Sequence, residues 1–240
     1  MKCLAIIPAR SGSKGLPDKN ILNLNGKPLM YYTIKAAIDS ACFDEIMVST
    51  DSEQYAQIAK ACGASVPFLR TADMSSDTAG SWDTVREVLG NYQQLGQEYD
   101  YVSLLQPTSP LRTAEDIRGL FQLLAGPEVH NAISVTEVEH PVQWCFRMPS
   151  NGSMEELASS PYNYVRRQDL ETYYRENGAI YTVDAKKIMD PHYDFYADAC
   201  HGYVMTRDTS IDIDTKLDFL IAETLMKSNI ATDSQDMNSI

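Results

Sequence analysis

"IIPARSGSKGLPDKN" (Ile6–Asn20) joins the end of an apolar run to a loop carrying Arg10, Lys14, Lys19 and two glycines. Leu4 to Ile7 is continuously apolar and is closed by Pro8, the pattern of a strand buried on both faces. Similar runs recur at Glu45–Ser49 and Tyr101–Leu105, and helical patterns lie between them. Pro28 to Ile38 follows the turn pair Asn25-Gly26, with proline at the position where its missing N–H does no harm. Asp51 or Ser52 is placed to cap a helix ending at Cys62, with Gly63 as its stop. Thr113-Ala-Glu-Asp116 resembles a capping box opening a helix through Leu124. This alternation predicts an α/β fold with a mostly parallel sheet covered by helices on both faces. Ligands then belong at the carboxyl ends of the strands, where the quoted loop begins.

Farther along, the rhythm breaks. From about His140 to Asn177 the chain is rich in Pro, Tyr, Arg and Ser, which predicts an insertion projecting from the sheet. Order returns with a strand at Ala179–Val183 and a last helix at Lys216–Met226, and residues 231–240 read as a flexible tail. The chain of 240 residues is expected to form a single domain over 1–230.

A formal net charge of -13 disfavours a broad electrostatic grip on nucleic acid or an anionic membrane, so phosphate binding must be local. Five dispersed cysteines with no C-x-x-C pair point to reduced thiols rather than zinc. With no secretory pattern and no apolar stretch of spanning length, a cytoplasmic protein is expected.

Three stretches carry chemistry. The first loop has cations and glycines fit for a polyphosphate, yet it matches neither Walker A nor G-x-G-x-x-G. In Ser210-Ile-Asp-Ile-Asp214, alternation puts Asp212 and Asp214 on one face. Such a pair suits Mg²⁺ completed by substrate phosphates and water; the plain alternative is a solvated strand end at which Asp214 or Thr215 caps the last helix. In Leu104-Leu-Gln-Pro-Thr-Ser-Pro-Leu-Arg112, Gln106, Thr108, Ser109 and Arg112 offer polar groups at the ligand face. Arg112 reads either as a fork for a carboxylate or phosphate or as an anchor for the next helix. The aromatic group Tyr173, Tyr174, Tyr181, Phe195 and Tyr196 reads equally as pocket wall or as core.

Together, "IIPARSGSKGLPDKN", "LLQPTSPLR", "RRQDLETYYRENGAIYTVD" and "SIDID" resemble the cytidylyltransferases that activate nine-carbon acidic sugars, the CMP-N-acetylneuraminate synthetases and their legionaminic and pseudaminic relatives. Ser11 stands where that family most often has glycine. The resemblance implies a Rossmann-like sheet, a homodimer, and transfer of CMP from CTP to the acid with Mg²⁺ and release of pyrophosphate. It implies that Arg10, Lys14, Lys19 and Asn20 hold the triphosphate with the Ser11, Gly12 and Ser13 backbone wrapped around it. Arg70 and the stretch Asp77 to Ser81, including Ala79, would meet cytosine and ribose. Gln106, Thr108, Ser109 and Arg112 would line the sugar side, and Asp212 and Asp214 would hold the metal. The insertion would be a dimerisation lobe bringing Arg166, Arg167 and Gln168 near the sugar of the partner's site.

The expected reaction is attack of the sugar's anomeric hydroxyl on the α-phosphorus, with catalysis by positioning and charge neutralisation. Lys19, Arg10 and Asp212 are the expected catalytic groups. No Ser-His or Cys-His pair suggests a covalent intermediate. N-acetylneuraminate is the expected acid, with legionaminate or pseudaminate as alternatives and ketodeoxyoctonate disfavoured by the Ser-Lys-Gly-Leu-Pro run of the first loop. From another class, the rival is a nucleotide-binding regulator without turnover.

Overall fold

The computed structural model of the protein describes residues 1–13, 15–71, 73–75 and 80–236. Lys14, Asp77 and Ala79, three of the expected nucleotide contacts, lie outside the described residues. The elements run β1 (Cys3–Pro8), a hairpin of β2 (Asn23–Leu24) and β3 (Lys27–Pro28), α1 (Leu29–Ser40), β4 (Glu45–Ser49), α2 (Glu53–Ala61), α3 (Ser81–Gln94), β5 (Tyr101–Leu105) and α4 (Ala114–Leu123). There follow β6 (Asn131–Glu137), α5 (Glu155–Ala158), β7 (Tyr174–Asp184), β8 (Cys200–Val204) and α6 (Lys216–Asp236).

Six strands form one sheet in the order β4-β1-β5-β7-β6-β8. β1 pairs in parallel with β4 and β5, β6 in parallel with β8, and β7 runs antiparallel between β5 and β6. The sheet is thus mostly parallel, as expected, with β7 the one reversed strand.

β1 shows why both faces must be covered. Ala5 and Ile7 point into a core shared with α1, α2 and α4, through Met30, Ile34, Tyr55, Ala59, Ile117 and Leu120. Leu4 and Ile6 point the other way, onto Val85, Val88, Leu89 and Tyr92 of α3. Each fully buried aliphatic side chain of this kind contributes roughly 1.5–3 kcal/mol. A third, smaller core joins Leu24 and Leu29 to Ile213 and to Ala222 of α6.

The helix signals act as read. The Ser52 side chain accepts a hydrogen bond from the Tyr55 N–H at 3.4 Å and so caps α2. Thr113 and Asp116 form a reciprocal capping box at α4. The β2–β3 hairpin, α3, β6, α5 and β8 go beyond the sequence reading. The excursion from the sheet spans 138–173 rather than 140–177, because β7 begins at Tyr174, well before the apolar run at Ala179. The closing helix continues to Asp236, ten residues past the expected Met226.

Candidate active site

The sheet order fixes where a ligand can enter. β1 lies between β4 and β5, so the chain crosses to one side of β1 and then to the other. A crevice therefore opens beyond the carboxyl end of β1, and the first loop fills its rim. Asp51, just past β4, accepts from the Ser11 N–H at 2.7 Å and from the Ser11 Oγ–H at 2.9 Å. Burial pushes the Asp51 carboxyl up, but these two bonds outweigh it and hold the group below the usual carboxylate range. The serine at the family's glycine position thus gains an anchor of its own, while Gly12 takes the turn at φ 71°. At the far end of the loop the Tyr55 hydroxyl of α2 donates to Asp18 Oδ1 at 2.9 Å, and Asn20 Nδ2 donates back to the Arg10 carbonyl at 3.1 Å.

The loop lies directly on the acidic segment. A Cβ added to Gly15 would stand 2.9 Å from the Asp214 carbonyl oxygen, closer than a real side chain tolerates, so only glycine allows this approach. Lys19 Nζ donates to the Ile213 carbonyl at 2.8 Å and to Asp214 Oδ1 at 3.0 Å. The Ile213 N–H in turn donates to the Thr108 carbonyl at 2.8 Å. Three stretches far apart in sequence thus meet around one cavity.

That cavity, of about 370 Å³, is lined by Arg10, Ser13, Lys19, Asn20, Arg70, Ser81, Gln106, Thr108 and Asp214, joined by Pro8, Gly15, Met74, Thr84 and Pro107. Arg70 is steadied by Ser49, donating from Nε to the hydroxyl at 3.1 Å and from Nη2 to the carbonyl at 3.0 Å. Burial lowers the Arg70 guanidinium, and the charge of Arg10 adds to that against the opposing pull of Asp51 and Glu87. Two guanidiniums and an ammonium among the lining residues, in an acidic chain, suit the cavity to an anionic ligand.

Asp212 is not among the residues lining this cavity; it stands near Gly178, Thr108, Lys19 and Asp214. Its Oδ1 is buried without a hydrogen-bond partner. Burial raises its carboxyl and Asp214 adds to the rise, with the Thr108 hydroxyl and Lys19 pulling the other way. Gly178, at φ 75°, leaves the space: a Cβ there would sit 3.3 Å from Gln106 Oε1 and 3.5 Å from Asp212 Oδ2. An orphaned carboxylate oxygen beside a second carboxylate fits a hard divalent cation. Among the described residues no group of three His, Cys, Asp or Glu gathers, so a cation here would find this pair alone and need substrate oxygens and water besides. Thr215 caps α6 together with Asp218, through bonds of 2.7 and 2.8 Å to the Asp218 carboxylate. The cap thereby occupies Thr215, while the Asp214 carboxylate is paired with Lys19.

A second cavity, of about 280 Å³, adjoins the first through Ser81 and Gln106 and is walled by Trp82, Leu104, Glu176, Tyr181 and Tyr196. The expected aromatic group divides. Tyr181 and Tyr196 line this cavity, Phe195 is core at 3% exposure, and Tyr173 and Tyr174 are exposed elsewhere. Trp82 and Glu176 escape sequence reading: Trp82 opens a helix whose apolar spacing from Val85 to Tyr92 reads as ordinary core, and Glu176 sits in a polar run resembling loop.

Ser109 and Arg112 do not reach either cavity. Both are buried, and Arg112 Nη1 donates to the Ala179 carbonyl at 2.7 Å and the Gln106 carbonyl at 3.3 Å. Burial pushes the guanidinium down, with Asp116 opposing. Arg112 therefore braces the Gln106 turn against β7 rather than anchoring the helix that follows. Replacing Arg112 with Ala is expected to reduce unfolding free energy by roughly 2–3 kcal/mol, the scale of losing charge-assisted bonds and orphaning buried carbonyls. Denaturant unfolding reads this directly; unchanged stability with impaired substrate affinity would return Arg112 to the ligand. Arg166 and Gln168 lie on the exposed excursion, where Arg166 Nε donates to Asp169 Oδ2 at 2.8 Å.

Cations arranged for a polyphosphate at a switch point, with hard oxygen donors beside them, are the equipment of a nucleotidyltransferase. Comparison with known proteins narrows this. The cytidylyltransferase family model matches residues 4–235. The CMP-N,N'-diacetyllegionaminic acid synthase of Legionella pneumophila is 41% identical over 95% of this chain and 98% of its own. An N-acylneuraminate cytidylyltransferase of Streptococcus agalactiae is 40% identical over 92% of this chain, which spans about half (52%) of that protein. The chain belongs to the cytidylyltransferase family. Among solved structures, a CMP:2-keto-3-deoxy-manno-octonic acid synthetase complexed with CTP superposes with a TM-score of 0.70 over 95% of this chain and all of that one, at 20% identity, a likeness of fold.

Proposed function

We propose that this cytidylyltransferase transfers CMP from CTP to the anomeric hydroxyl of a nine-carbon acidic sugar of the sialic type, releasing pyrophosphate. The carrying observation is the cavity at the β1 switch point, where Arg10, Lys19 and Arg70 meet Asp214 beneath the second, aromatic cavity. The triphosphate takes the first cavity and the sugar the second, and the two meet at Ser81 and Gln106. The anomeric oxygen forms a bond to the α-phosphorus as the bond to the pyrophosphate oxygen breaks, so the protein's task is alignment and charge neutralisation. Arg10, Lys19 and the amides of the loop from Ser11 to Ser13 hold the phosphates, and Lys14 joins them in this reading. Asn20 keeps the loop closed through its bond to the Arg10 carbonyl. Arg70, Ser81 and the stretch containing Asp77 and Ala79 serve the nucleoside.

Asp212 and Asp214 would hold Mg²⁺, whose chemistry is to neutralise phosphate charge and draw a coordinated hydroxyl toward deprotonation. The excursion 138–173 presents exposed Trp144, Met148, Tyr162 and Tyr164, the last at 98% exposure. Such a surface supports a homodimer in which Arg166 and Gln168 approach the partner's sugar. A single domain with that lobe, working in the cytoplasm, completes the reading; among the described residues no helix is long and apolar enough to cross a membrane.

Pyrophosphate release from CTP and Mg²⁺ tests the proposal, run in parallel with N-acetylneuraminate, N,N'-diacetyllegionaminate, pseudaminate and ketodeoxyoctonate. Turnover with a nine-carbon acid is expected. Silence across the panel from folded protein that binds CTP would instead favour a nucleotide-binding regulator.

A further inference from the structure

The second cavity is lined by three aromatic side chains, Trp82, Tyr181 and Tyr196, and by one carboxylate, Glu176. Trp82 lies 5.0 Å from Phe195 and 6.1 Å from Tyr181, centroid to centroid, and Phe195 lies 5.2 Å from Tyr196. Against this wall stands Glu176. The Tyr196 hydroxyl donates to its Oε1 at 2.8 Å, and the Tyr181 hydroxyl donates to its Oε2 at 3.1 Å. A carboxylate accepts at about four lone-pair sites, so both oxygens keep capacity after the tyrosines are served. Burial and the Glu176 charge push Tyr196 up to about 12, so its hydroxyl stays protonated and keeps donating at working pH. The glutamate is therefore an acceptor held at both oxygens, set among Trp82, Tyr181 and Tyr196, with Ser81, Gln106 and Leu104 completing the lining.

Resting on the sugar-transfer reading above, we propose that Glu176, clamped by Tyr181 and Tyr196, is the specificity-determining residue of the sugar cavity. It accepts a hydrogen bond from a hydroxyl or amide N–H on the half of the acid remote from the anomeric carbon. The same charge sets direction. In a 2-keto sugar acid the carboxylate is borne by the anomeric carbon itself. Glu176 repels that carboxylate and so turns it away from this end of the cavity. An inverted sugar is rejected, and the anomeric hydroxyl is delivered toward the nucleotide. The apolar rings take acyl or methyl substituents beside the donor that Glu176 reads.

The test is steady-state pyrophosphate release with varied acid and varied CTP. Glu176→Ala is expected to raise KM for the preferred nine-carbon acid about 10- to 100-fold, the scale of a lost charge-assisted bond, and to leave KM for CTP within about twofold. The kcat/KM preference for that acid over ketodeoxyoctonate, whose chain is one carbon shorter, should fall with it. Glu176→Gln keeps the shape without the charge and is expected to give a smaller rise, with an unchanged melting temperature as the check on folding. Tyr196→Phe should raise KM for the acid a few-fold, and the double variant with Glu176→Ala should be no worse than Glu176→Ala alone. Unchanged KM for the acid in Glu176→Ala would overturn the proposal, and additive losses in the double variant would overturn the clamp. Failure of the wild-type chain to use any sugar acid would remove the sugar-transfer reading and this proposal together, an outcome visible before any variant is made.

Discussion

Replacing Lys19 with Ala is expected to lower kcat/KM for CTP by two or more orders of magnitude, with the fold intact. Lys19 Nζ already serves the Ile213 carbonyl and Asp214 Oδ1. An ammonium has three N–H donors, so one is left for a phosphate oxygen in the cavity it lines. Its side chain is only 14% exposed, which places the charge in a partly dried site where it counts for more than in water. Removing a group preorganised against transition-state charge typically costs about 10²–10³ in rate. Lys19→Met keeps most of the apolar stem and isolates the loss of charge. Pyrophosphate release under saturating sugar acid measures both variants. Activity within a few-fold of wild type would confine Lys19 to tying the loop onto the Ile211–Asp214 segment, a tether and no more.

How much of this was legible beforehand differs by element. Strands such as β1 are buried on both faces, so their apolar runs declare themselves without context, and the same holds for α2 and α4 with their caps at Ser52 and Thr113. β8 reads poorly because His201, Gly202 and half-exposed neighbours give it neither alternation nor a continuous run. β7 is half hidden: Tyr174 to Gly178 is polar and broken by a left-handed glycine, yet it pairs with β6 as far as Glu137. That same concealment hides Glu176. The first cavity was legible because its cations break so sharply from an acidic average and follow a recognisable strand. Its closure was not. Nothing local announces that Asp51 holds Ser11, or that Arg112 turns inward to a carbonyl of a strand 67 residues away. These are choices that only tertiary packing makes.

Asp212→Asn is expected to make the protein more stable and nearly inactive, and the two effects share one cause. Burial raises the Asp212 carboxyl, helped by the charge of Asp214, so without a bound cation the folded state holds its ionised form at a cost. The sign follows from linkage. With the folded pKa above the unfolded one, the native state binds the proton more tightly. Stability is then highest below the ordinary carboxylate pKa and declines as pH rises through the raised folded value. Asparagine removes this decline. In chelator, at neutral pH, the variant should melt above wild type, and the difference should vanish in acid. Its turnover should fall by about two orders of magnitude or more, since the site loses the carboxylate charge and one of the two Asp212 oxygens that suit a divalent cation. An added excess of Mg²⁺ should stabilise the wild type more than the variant. A variant no more stable than wild type in chelator would mean that Lys19 and Thr108 already neutralise Asp212. A stable, active variant would remove it from the chemistry, leaving Asp214, exposed and paired with Lys19, to hold the metal alone.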